Sequence, residues 1–294
     1  MIRGRAPLFV LLWVALTPLA GCLFRTHAVA VRTATLPLQA ATCNELVQRI
    51  NDDAARIQTL DVTVSVGDSE EGSEPGEIAM YREDRDHILA RRPFTLHLSG
   101  YLIVQQSLAF DIVHDGQQPT LWTPSTTEFI SGEANSAKPS TWPLATLPPH
   151  VIYDALLLQP IDLRSEIAVL EQDGSHSVMD PKTRALVQQP DYAVDVITHD
   201  ARGYHLSRKT IFDRTDLQPY EQIIYSENGS VAVDAQYFEY EAYDGIRFPT
   251  IIKIRSPLSE YSIEVKVTKL LSNRPVPHDM FVIDAIPELR RGVN

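Results

Sequence analysis

The chain has 294 residues, of which 44% are hydrophobic, and it carries a formal net charge of −12 at pH 7. An acidic chain of this kind is a poor candidate for binding nucleic acid, because phosphate contacts need clustered lysines and arginines. Its length and apolar content suffice for one large domain with a buried core, which we place at residues 42–294.

The first 21 residues have the features of an export signal. Arg3 and Arg5 form a basic start, and an apolar run from Leu8 to Leu16 follows between two prolines. A helix that crosses a bilayer needs roughly 20 apolar residues, so this run is too short to span a membrane. A basic start with a short apolar core predicts a signal peptide over residues 1–21.

The segment Leu19-Ala20-Gly21-Cys22 resembles the bacterial lipobox, in which a cysteine after small residues is acylated and becomes the new N-terminus. Acyl chains bind a membrane with about 0.8 kcal/mol per buried methylene, so they would anchor the chain through Cys22. The alternative is an ordinary signal peptide with a chance cysteine. Leu23 stands where an aspartate retains lipoproteins in the inner membrane. The resemblance therefore implies an exported protein, anchored in the outer membrane and facing the periplasm, with residues 22–41 as lipidated terminus and tether.

A helix is predicted behind the capping box Thr42-Cys43-Asn44-Glu45, in which the threonine hydroxyl and the glutamate carboxylate satisfy free backbone amides. Apolar residues recur at helical spacing from there to Ile57, which predicts an amphipathic helix. Cys43 lies on the apolar stripe, and we interpret it as a small buried side chain without a chemical role.

After this helix the sequence alternates between apolar and polar residues, which is the period of half-buried strands. Asp115-Gly116 and Asn228-Gly229 are hairpin signals between such strands. The alternation continues to the strand Tyr261 to Leu270. The region from Val62 to Leu270 therefore predicts a series of antiparallel strands with one interruption.

Aromatic residues crowd the strand that follows Asn228-Gly229. Regular alternation predicts that Tyr237 shares a face with Glu239, and that Phe238 and Tyr240 share the other. Aromatic rows at period two usually stabilise pairs across neighbouring strands.

A second helix is predicted between Pro148-Pro149 and Pro160, because apolar residues at helical spacing fill about His150 to Leu158. It interrupts the strand series and is either part of the core or a lid over a cavity. Roughly ten strands with short connections and two helices predict a mainly β, α+β domain, in which a large antiparallel sheet carries its helices on one side.

The C-terminal third carries an ordered set of motifs. Tyr243-Asp-Gly-Ile-Arg-Phe-Pro249 precedes an alternating strand, and Pro257, a second strand, Asn273 and Phe281 follow. Together with the lipobox and the two helices, this order resembles the outer-membrane lipoprotein carrier superfamily, the LolA/LolB-like proteins. The resemblance implies a large curved antiparallel sheet, an incomplete β-barrel whose open side is covered by the N-terminal helix and the inserted helix. In the carriers that hydrophobic interior takes up the acyl chains of lipoproteins in transit.

The resemblance implies a non-catalytic envelope lipoprotein that binds a lipid or a lipoprotein acyl chain and acts in lipid or lipoprotein transfer. Inward positions of the strands and helices are the expected lining of its cavity: Leu46, Ile50, Val64, Leu96, Leu108, Phe110, Ile152 and Leu156. The same side chains could instead fill a solid core, because buried apolar positions look alike in both cases. The competing hypothesis is a structural or interaction subunit of an envelope complex, with a filled core and no ligand.

Catalytic and metal-binding patterns are weak in the sequence. Ser69 in Gly-Asp-Ser, with Asp111 and His114, invites comparison with a hydrolase, but Ser69 is followed by Glu-Glu-Gly, a composition typical of a turn. The nine histidines are scattered without the spacing of a zinc site. We therefore expect no enzymatic activity, no metal and no cofactor.

Overall fold

The computed structural model describes residues 36–68, 84–102, 107–124, 128–131, 143–180 and 182–283. The described residues of 36–176 and 189–283 form a large unit, and residues 177–188 belong to a small one. The export signal, Cys22, residues 22–35 of the tether and Ser69 lie outside the described residues. In the part of the chain that is described, no helix is long and apolar enough to cross a membrane. Within residues 177–188, the side-chain amide of Gln188 donates to Ser177 Oγ at 2.6 Å.

The described helices are α1 (Cys43–Arg56), α2 (Pro143–Thr146) and α3 (Pro149–Leu156). The predicted capping box is present, since the Thr42 amide donates to Glu45 Oε2 at 2.7 Å and the Glu45 amide to Thr42 Oγ1 at 3.3 Å. Pro149 is the first residue of α3. A backbone N–H at this position has no acceptor within a helix, so proline, which lacks the N–H, is well suited to it. Both helices predicted from the sequence are confirmed.

The described strands form a sheet of 14 members. They are β1 (Thr59–Asp68), β2 (Asp84–Arg91), β3 (Thr95–Leu102), β4 (Ser107–His114), β5 (Pro119–Thr123), β6 (Glu128–Ser131), β7 (Ile167–Glu171), β8 (Ser175–Met179), β9 (Leu186–Asp200), β10 (Gly203–Asp213), β11 (Pro219–Tyr225), β12 (Val231–Tyr243), β13 (Ile246–Ser256) and β14 (Tyr261–Ser272). The prediction of roughly ten was too low, because the strands after Ile167 were not separated: β7 and β8 have only 5 residues each, and an alternating pattern is hard to recognise over so short a length.

Neighbouring strands pair in the order β6-β5-β4-β3-β2-β1-β14-β13-β12-β11-β10-β9-β7, and β8 pairs with β9. The pairs along this path are antiparallel. Strand β1 lies between β2 and β14, so the first and last strands of the domain are neighbours. Among the strands described, β6 and β7 are the two edges and do not pair with each other, so the sheet is open. The predicted mainly β architecture is confirmed.

The helices cover one face of this sheet. Directly paired residues point their side chains to the same face, and one row of them crosses six strands: Val194, Thr210, Gln222, Ala235, Ile254 and Ile263. At one end of the row, Val194 packs in a core cluster with Leu46 and Ile50 of α1. Further along, Ala235 belongs to a larger cluster that contains Ile152 of α3. Because both contacts are made from one row, α1 and α3 lie on the same face.

The larger cluster joins α2 and α3 to β1–β4 and β12–β14. Burying one Leu, Ile or Phe side chain contributes about 1.5–3 kcal/mol, so this cluster is a major source of stability. On the opposite face Phe281 packs against Leu89 and Val113, and the guanidinium of Arg91 lies 4.5 Å from the centre of its ring. The C-terminal segment around Phe281 is thereby held against the outside of β2–β4.

Candidate functional site

A cavity of 460 Å³ lies between α1, the C-terminal end of α3 and strands β11 to β13. Small-molecule sites occupy about 300–1,000 Å³, so its size suits a small ligand. Apolar and aromatic side chains form much of its wall: Ala54, Ile57, Leu156, Pro219, Tyr237, Tyr240, Phe248 and Pro249. The cavity can therefore remove an apolar group of a ligand from water.

The first wall is α1, which presents different sides to the core and to the cavity. Its apolar stripe, with Leu46 and Ile50, packs against β9 and β10. The flank of the same helix, with Arg49, Asp52 and Asp53, faces the cavity. This wall therefore contributes charged residues to the cavity, and the apolar part of the lining comes mainly from the other elements.

The second wall is β12, where Tyr237 and Tyr240 both line the cavity although they are three residues apart. Phe238 lines a different cavity on the other face of the sheet. The prediction that Phe238 and Tyr240 share a face is therefore wrong. The physical reason is Glu239, whose φ of 54° is in the left-handed region and interrupts the alternation of side chains along the strand.

The hydroxyl groups of both tyrosines are bonded to backbone carbonyls. Tyr237 donates to the carbonyl oxygen of Ala155 at 2.9 Å, and Tyr240 donates to that of Pro219 at 2.7 Å. Burial raises the pKa of both phenols well above the usual value, so they stay neutral. Because each hydroxyl has its acceptor, the rings are fixed as apolar wall.

The third wall holds a half-buried cation. Arg92, in the turn between β2 and β3, lines the cavity and donates to the carbonyl oxygens of Ile57 at 2.9 Å and Leu158 at 2.8 Å. A longer bond of 3.4 Å reaches Gln159 Oε1. Burial lowers the pKa of the guanidinium, because the charged form loses solvation there. Arg92 thereby joins the β2–β3 turn to the ends of α1 and α3.

The carboxylates of the lining have partners of their own on or beside α1. Glu45 accepts from Thr42 in the capping box, and Asp52 accepts from the side chain of Gln48 at 2.7 Å. Asp53 lies 3.6 Å from the guanidinium of Arg56. The acidic side chains of α1 are thus engaged locally.

A second cavity, of 430 Å³, lies on the opposite face of the sheet and has a different chemical character. In it the hydroxyl of Tyr220 donates to Asp191 Oδ2 at 2.8 Å, and Lys209 Nζ donates to Glu171 at 2.7 Å. Phe238 is one of its few apolar walls. Fewer apolar side chains line this cavity than line the 460 Å³ cavity, which is therefore the better candidate for an apolar ligand.

No protein-family model and no curated protein matches the chain. Several solved structures are similar to it. A LolA superfamily protein from Nitrosomonas europaea is 15% identical with a TM-score of 0.49, over 83% of this chain and 99% of that one. An outer membrane lipoprotein-sorting protein domain from Vibrio parahaemolyticus is 10% identical with a TM-score of 0.48, over 81% and 97%. A DUF1329 family protein from Desulfovibrio piger is 13% identical with a TM-score of 0.46, over 82% and 95%.

An open antiparallel sheet with an N-terminal helix and an inserted helical segment on one face is the architecture that the sequence resemblance implies. The predicted fold class is therefore confirmed by the strand pairing and the position of the helices. With identities of 10% to 15% and TM-scores below 0.5, the similar structures carry no argument about function, which has to come from the residues of this chain.

Of the eight side chains predicted to line a cavity, seven are distributed over two core clusters. Leu46 and Ile50 pack in the cluster of α1. In the larger cluster, at 5% exposure or less, lie Val64, Leu96, Phe110, Ile152 and Leu156. Leu108 is half-buried in β4. Leu156 is the one of the eight that also lines the 460 Å³ cavity, because α3 covers a filled part of the core and the cavity begins at its C-terminal end.

The residues that sequence reasoning missed are Arg92, Tyr240 and Phe248, which line the cavity. Phe248 lies within the motif that carries the family resemblance, and that motif was the one available signal. Arg92 has no local signal, because the carbonyls that it binds belong to residues far away in the chain.

Of the side chains considered for a hydrolase, Asp111 and His114 are described, and they do not pair with each other. Asp111 Oδ1 lies 2.5 Å from His97 Nε2, whereas His114 Nδ1 accepts from the amide of Gly116 at 3.1 Å. Asp111 is therefore paired with a histidine of β3 and not with His114. In the described ranges, no three His, Cys, Asp or Glu side chains are grouped as a metal site requires.

Proposed function

We propose that this chain binds a lipid, or the acyl chain of a lipoprotein, in the 460 Å³ cavity and acts in lipid or lipoprotein transfer, without catalysing a reaction. The observation that carries the proposal is the apolar and aromatic wall formed by Leu156, Tyr237, Tyr240 and Phe248. These residues come from α3, β12 and β13, so regular secondary structure builds this wall of the cavity.

The energetics of apolar burial support this use of the cavity. Each methylene group removed from water contributes about 0.8 kcal/mol. Ten buried methylenes would contribute about 8 kcal/mol, from which the loss of translational and rotational freedom on binding must be subtracted. A cavity with apolar walls can therefore hold one acyl chain, and the polar ends of Tyr237 and Tyr240 do not interfere because they are already bonded.

The sequence supports a place in the cell envelope. The proposed anchor is an acyl group on Cys22, with residues 22–41 as tether, and the proposed site is the outer membrane facing the periplasm. The partners are then the membrane itself, a lipid or lipoprotein acyl chain, and possible envelope proteins that deliver or receive it.

The competing function is a structural or interaction subunit without ligand. The observation that favours it is the filled core beneath α2 and α3, where Leu144, Ile152 and Phe110 are at most 1% exposed. The two functions differ over one feature, namely whether the cavity at the end of α3 is occupied by a hydrophobic molecule.

The test uses the full chain with Cys22→Ala, which has no acyl groups of its own, extracted in mild detergent. Native mass spectrometry then measures the hydrophobic molecules that remain bound. Leu158→Trp should fill the cavity and abolish this binding, because Leu158 lines it and is half-buried. Leu163→Trp is the matched control, because Leu163 is 54% exposed outside the cavity and should leave binding unchanged.

Two results would count against the proposal. One is the absence of any bound or rebinding lipid in the Cys22→Ala chain, which would favour the interaction subunit. The other is equal lipid binding by Leu158→Trp and Leu163→Trp, which would place the lipid elsewhere.

A further inference from the structure

The guanidinium of Arg92 has unused hydrogen-bonding capacity at the cavity. A guanidinium carries five N–H groups. Nε–H is directed at the carbonyl of Ile57, one N–H of Nη2 at the carbonyl of Leu158, and one of Nη1 at Gln159 Oε1. One N–H on each terminal nitrogen therefore remains, and each can donate to an oxygen of a carboxylate or phosphate.

The charge of Arg92 is also uncompensated. Its acceptors are two backbone carbonyls and an amide oxygen, and in the described part of the chain it makes no ion pair within 4.0 Å. A half-buried charge is costly unless an opposite charge accompanies it. The chain as a whole is acidic, with a formal net charge of −12, yet among the described residues no carboxylate lies within 4.0 Å of this guanidinium.

Other arginines add positive charge to the same cavity. Arg49 lines it and donates to the carbonyl oxygen of Leu217 at 3.0 Å, and Arg247 lines it from the start of β13. The nearby carboxylates Glu45 and Asp52 are engaged by Thr42 and Gln48. The cavity lining therefore combines apolar walls with four arginines (Arg49, Arg56, Arg92 and Arg247) and three carboxylates (Glu45, Asp52 and Asp53), a formal charge of +1.

We propose that the ligand is a single-chain amphiphile with an anionic headgroup, a carboxylate or a phosphate, which pairs with Arg92 while its chain lies along Leu156, Tyr237, Tyr240 and Phe248. This inference rests on the proposed function and names the class of ligand. A volume of 460 Å³ is in the lower part of the usual range of about 300–1,000 Å³, which favours one chain over several.

The experiment compares headgroups on one chain. Isothermal titration calorimetry measures the binding of four twelve-carbon probes to the full chain with Cys22→Ala, each below its critical micelle concentration. Dodecanoate and dodecyl phosphate are anionic, dodecyl maltoside is neutral and dodecyltrimethylammonium is cationic. We expect both anionic probes, or one of them, to bind at least about tenfold more tightly than the neutral and cationic probes. The tighter of the two anions identifies the headgroup as carboxylate or phosphate.

Variants then assign the preference to Arg92. Arg92→Gln should weaken the binding of the anionic probes about tenfold and should change the affinity for dodecyl maltoside by no more than about twofold. Arg202→Gln is the control for the loss of one positive charge, because Arg202 pairs with Glu227 on an exposed turn and does not line the cavity. Circular dichroism checks that each variant is folded. If Arg92→Gln does not fold, the headgroup comparison in the unsubstituted cavity decides the question alone.

The outcomes separate this inference from the proposed function. Equal affinity for all four probes would overturn the anionic headgroup and leave lipid binding intact. An anionic preference that persists in folded Arg92→Gln would overturn the role of Arg92. If no probe binds, both the inference and the proposed function are wrong.

Discussion

The hydroxyl of Tyr237 donates a hydrogen bond of 2.9 Å to the carbonyl oxygen of Ala155, and both residues are buried. The bond joins β12 to the last turn of α3 at the wall of the cavity. The position of α3 and the shape of the cavity therefore depend on the same contact.

Tyr237→Phe should lower the free energy of unfolding by about 1–3 kcal/mol, because the buried carbonyl of Ala155 loses this donor. Urea denaturation followed by circular dichroism measures the change. Tyr204→Phe is the matched control, since Tyr204 is 70% exposed, and it should change stability by less than about 0.5 kcal/mol. Equal effects of the two substitutions would show that the bond contributes nothing.

Asn273 has two separable roles at the corner where β14 ends. Its side chain accepts from the amide of Gln58 at 2.8 Å and donates to the carbonyl oxygen of Arg56 at 2.6 Å, and its φ is 55°. Asn273→Ala removes both hydrogen bonds and places at this position a residue that disfavours positive φ. We therefore expect the free energy of unfolding, measured by urea denaturation, to fall by about 2–3 kcal/mol. Asn273→Gly adopts positive φ without strain, so it should lower the free energy of unfolding by less than Asn273→Ala does. If glycine destabilises as much as alanine, the left-handed backbone is not part of the cost.

Asp154 on α3 makes stability depend on pH. Burial raises its pKa to about 6, with the amide of Gln159 3.2 Å from Oδ1. Between pH values of about 4 and 6 the folded state holds a proton that the unfolded state has lost, so the free energy of unfolding falls as pH rises through this range. Above this range the energetic penalty of burying the charged carboxylate remains, on the order of 3 kcal/mol.

Asp154→Asn should therefore be more stable than the unsubstituted chain at pH 7 and should lose this slope between pH 4 and 6. Thermal denaturation at a series of pH values between 4 and 7 measures the stability of both chains. The control is Asp173→Asn, because Asp173 is an exposed aspartate of the β7–β8 turn. If Asp154→Asn keeps the full dependence of stability on pH, that dependence comes from another titratable group.

Gly100 on β3 is fixed by the close approach of Phe110. A Cβ atom at this position would overlap the Phe110 ring and lie 2.7 Å from Asp86 Oδ1. Gly100→Ala should destabilise the fold by about 1–3 kcal/mol, measured by urea denaturation. The double variant Gly100→Ala with Phe110→Leu should be less destabilised than the sum of the two single changes, because the smaller side chain makes room. Strict additivity would contradict this interpretation.

The sequence predicts the local elements of this fold because their signals are local. The capping box Thr42 to Glu45 begins α1, and Pro149 begins α3, as predicted. The two tyrosines of β12 could not be placed, because the left-handed conformation of Glu239 is imposed by the tertiary structure and glutamate does not favour it.

The cavity was harder to predict than the core. The sequence identifies Ile152 and Leu156 as inward residues of α3, but only the packing of α3 on the sheet decides that Ile152 fills the core while Leu156 reaches the cavity. Arg92 could not be recognised, because an arginine that binds distant backbone carbonyls leaves no pattern in the sequence.

The proposed function requires that an acyl chain occupies the cavity at the end of α3. Photo-crosslinking with a diazirine analogue of dodecanoate, followed by mass spectrometry of peptides from the Cys22→Ala chain, locates the bound chain. We expect labels within residues 156–158 and 237–249, the segments that line the cavity. Labels confined to exposed apolar side chains such as Ile167 and Val169 of β7 would contradict it.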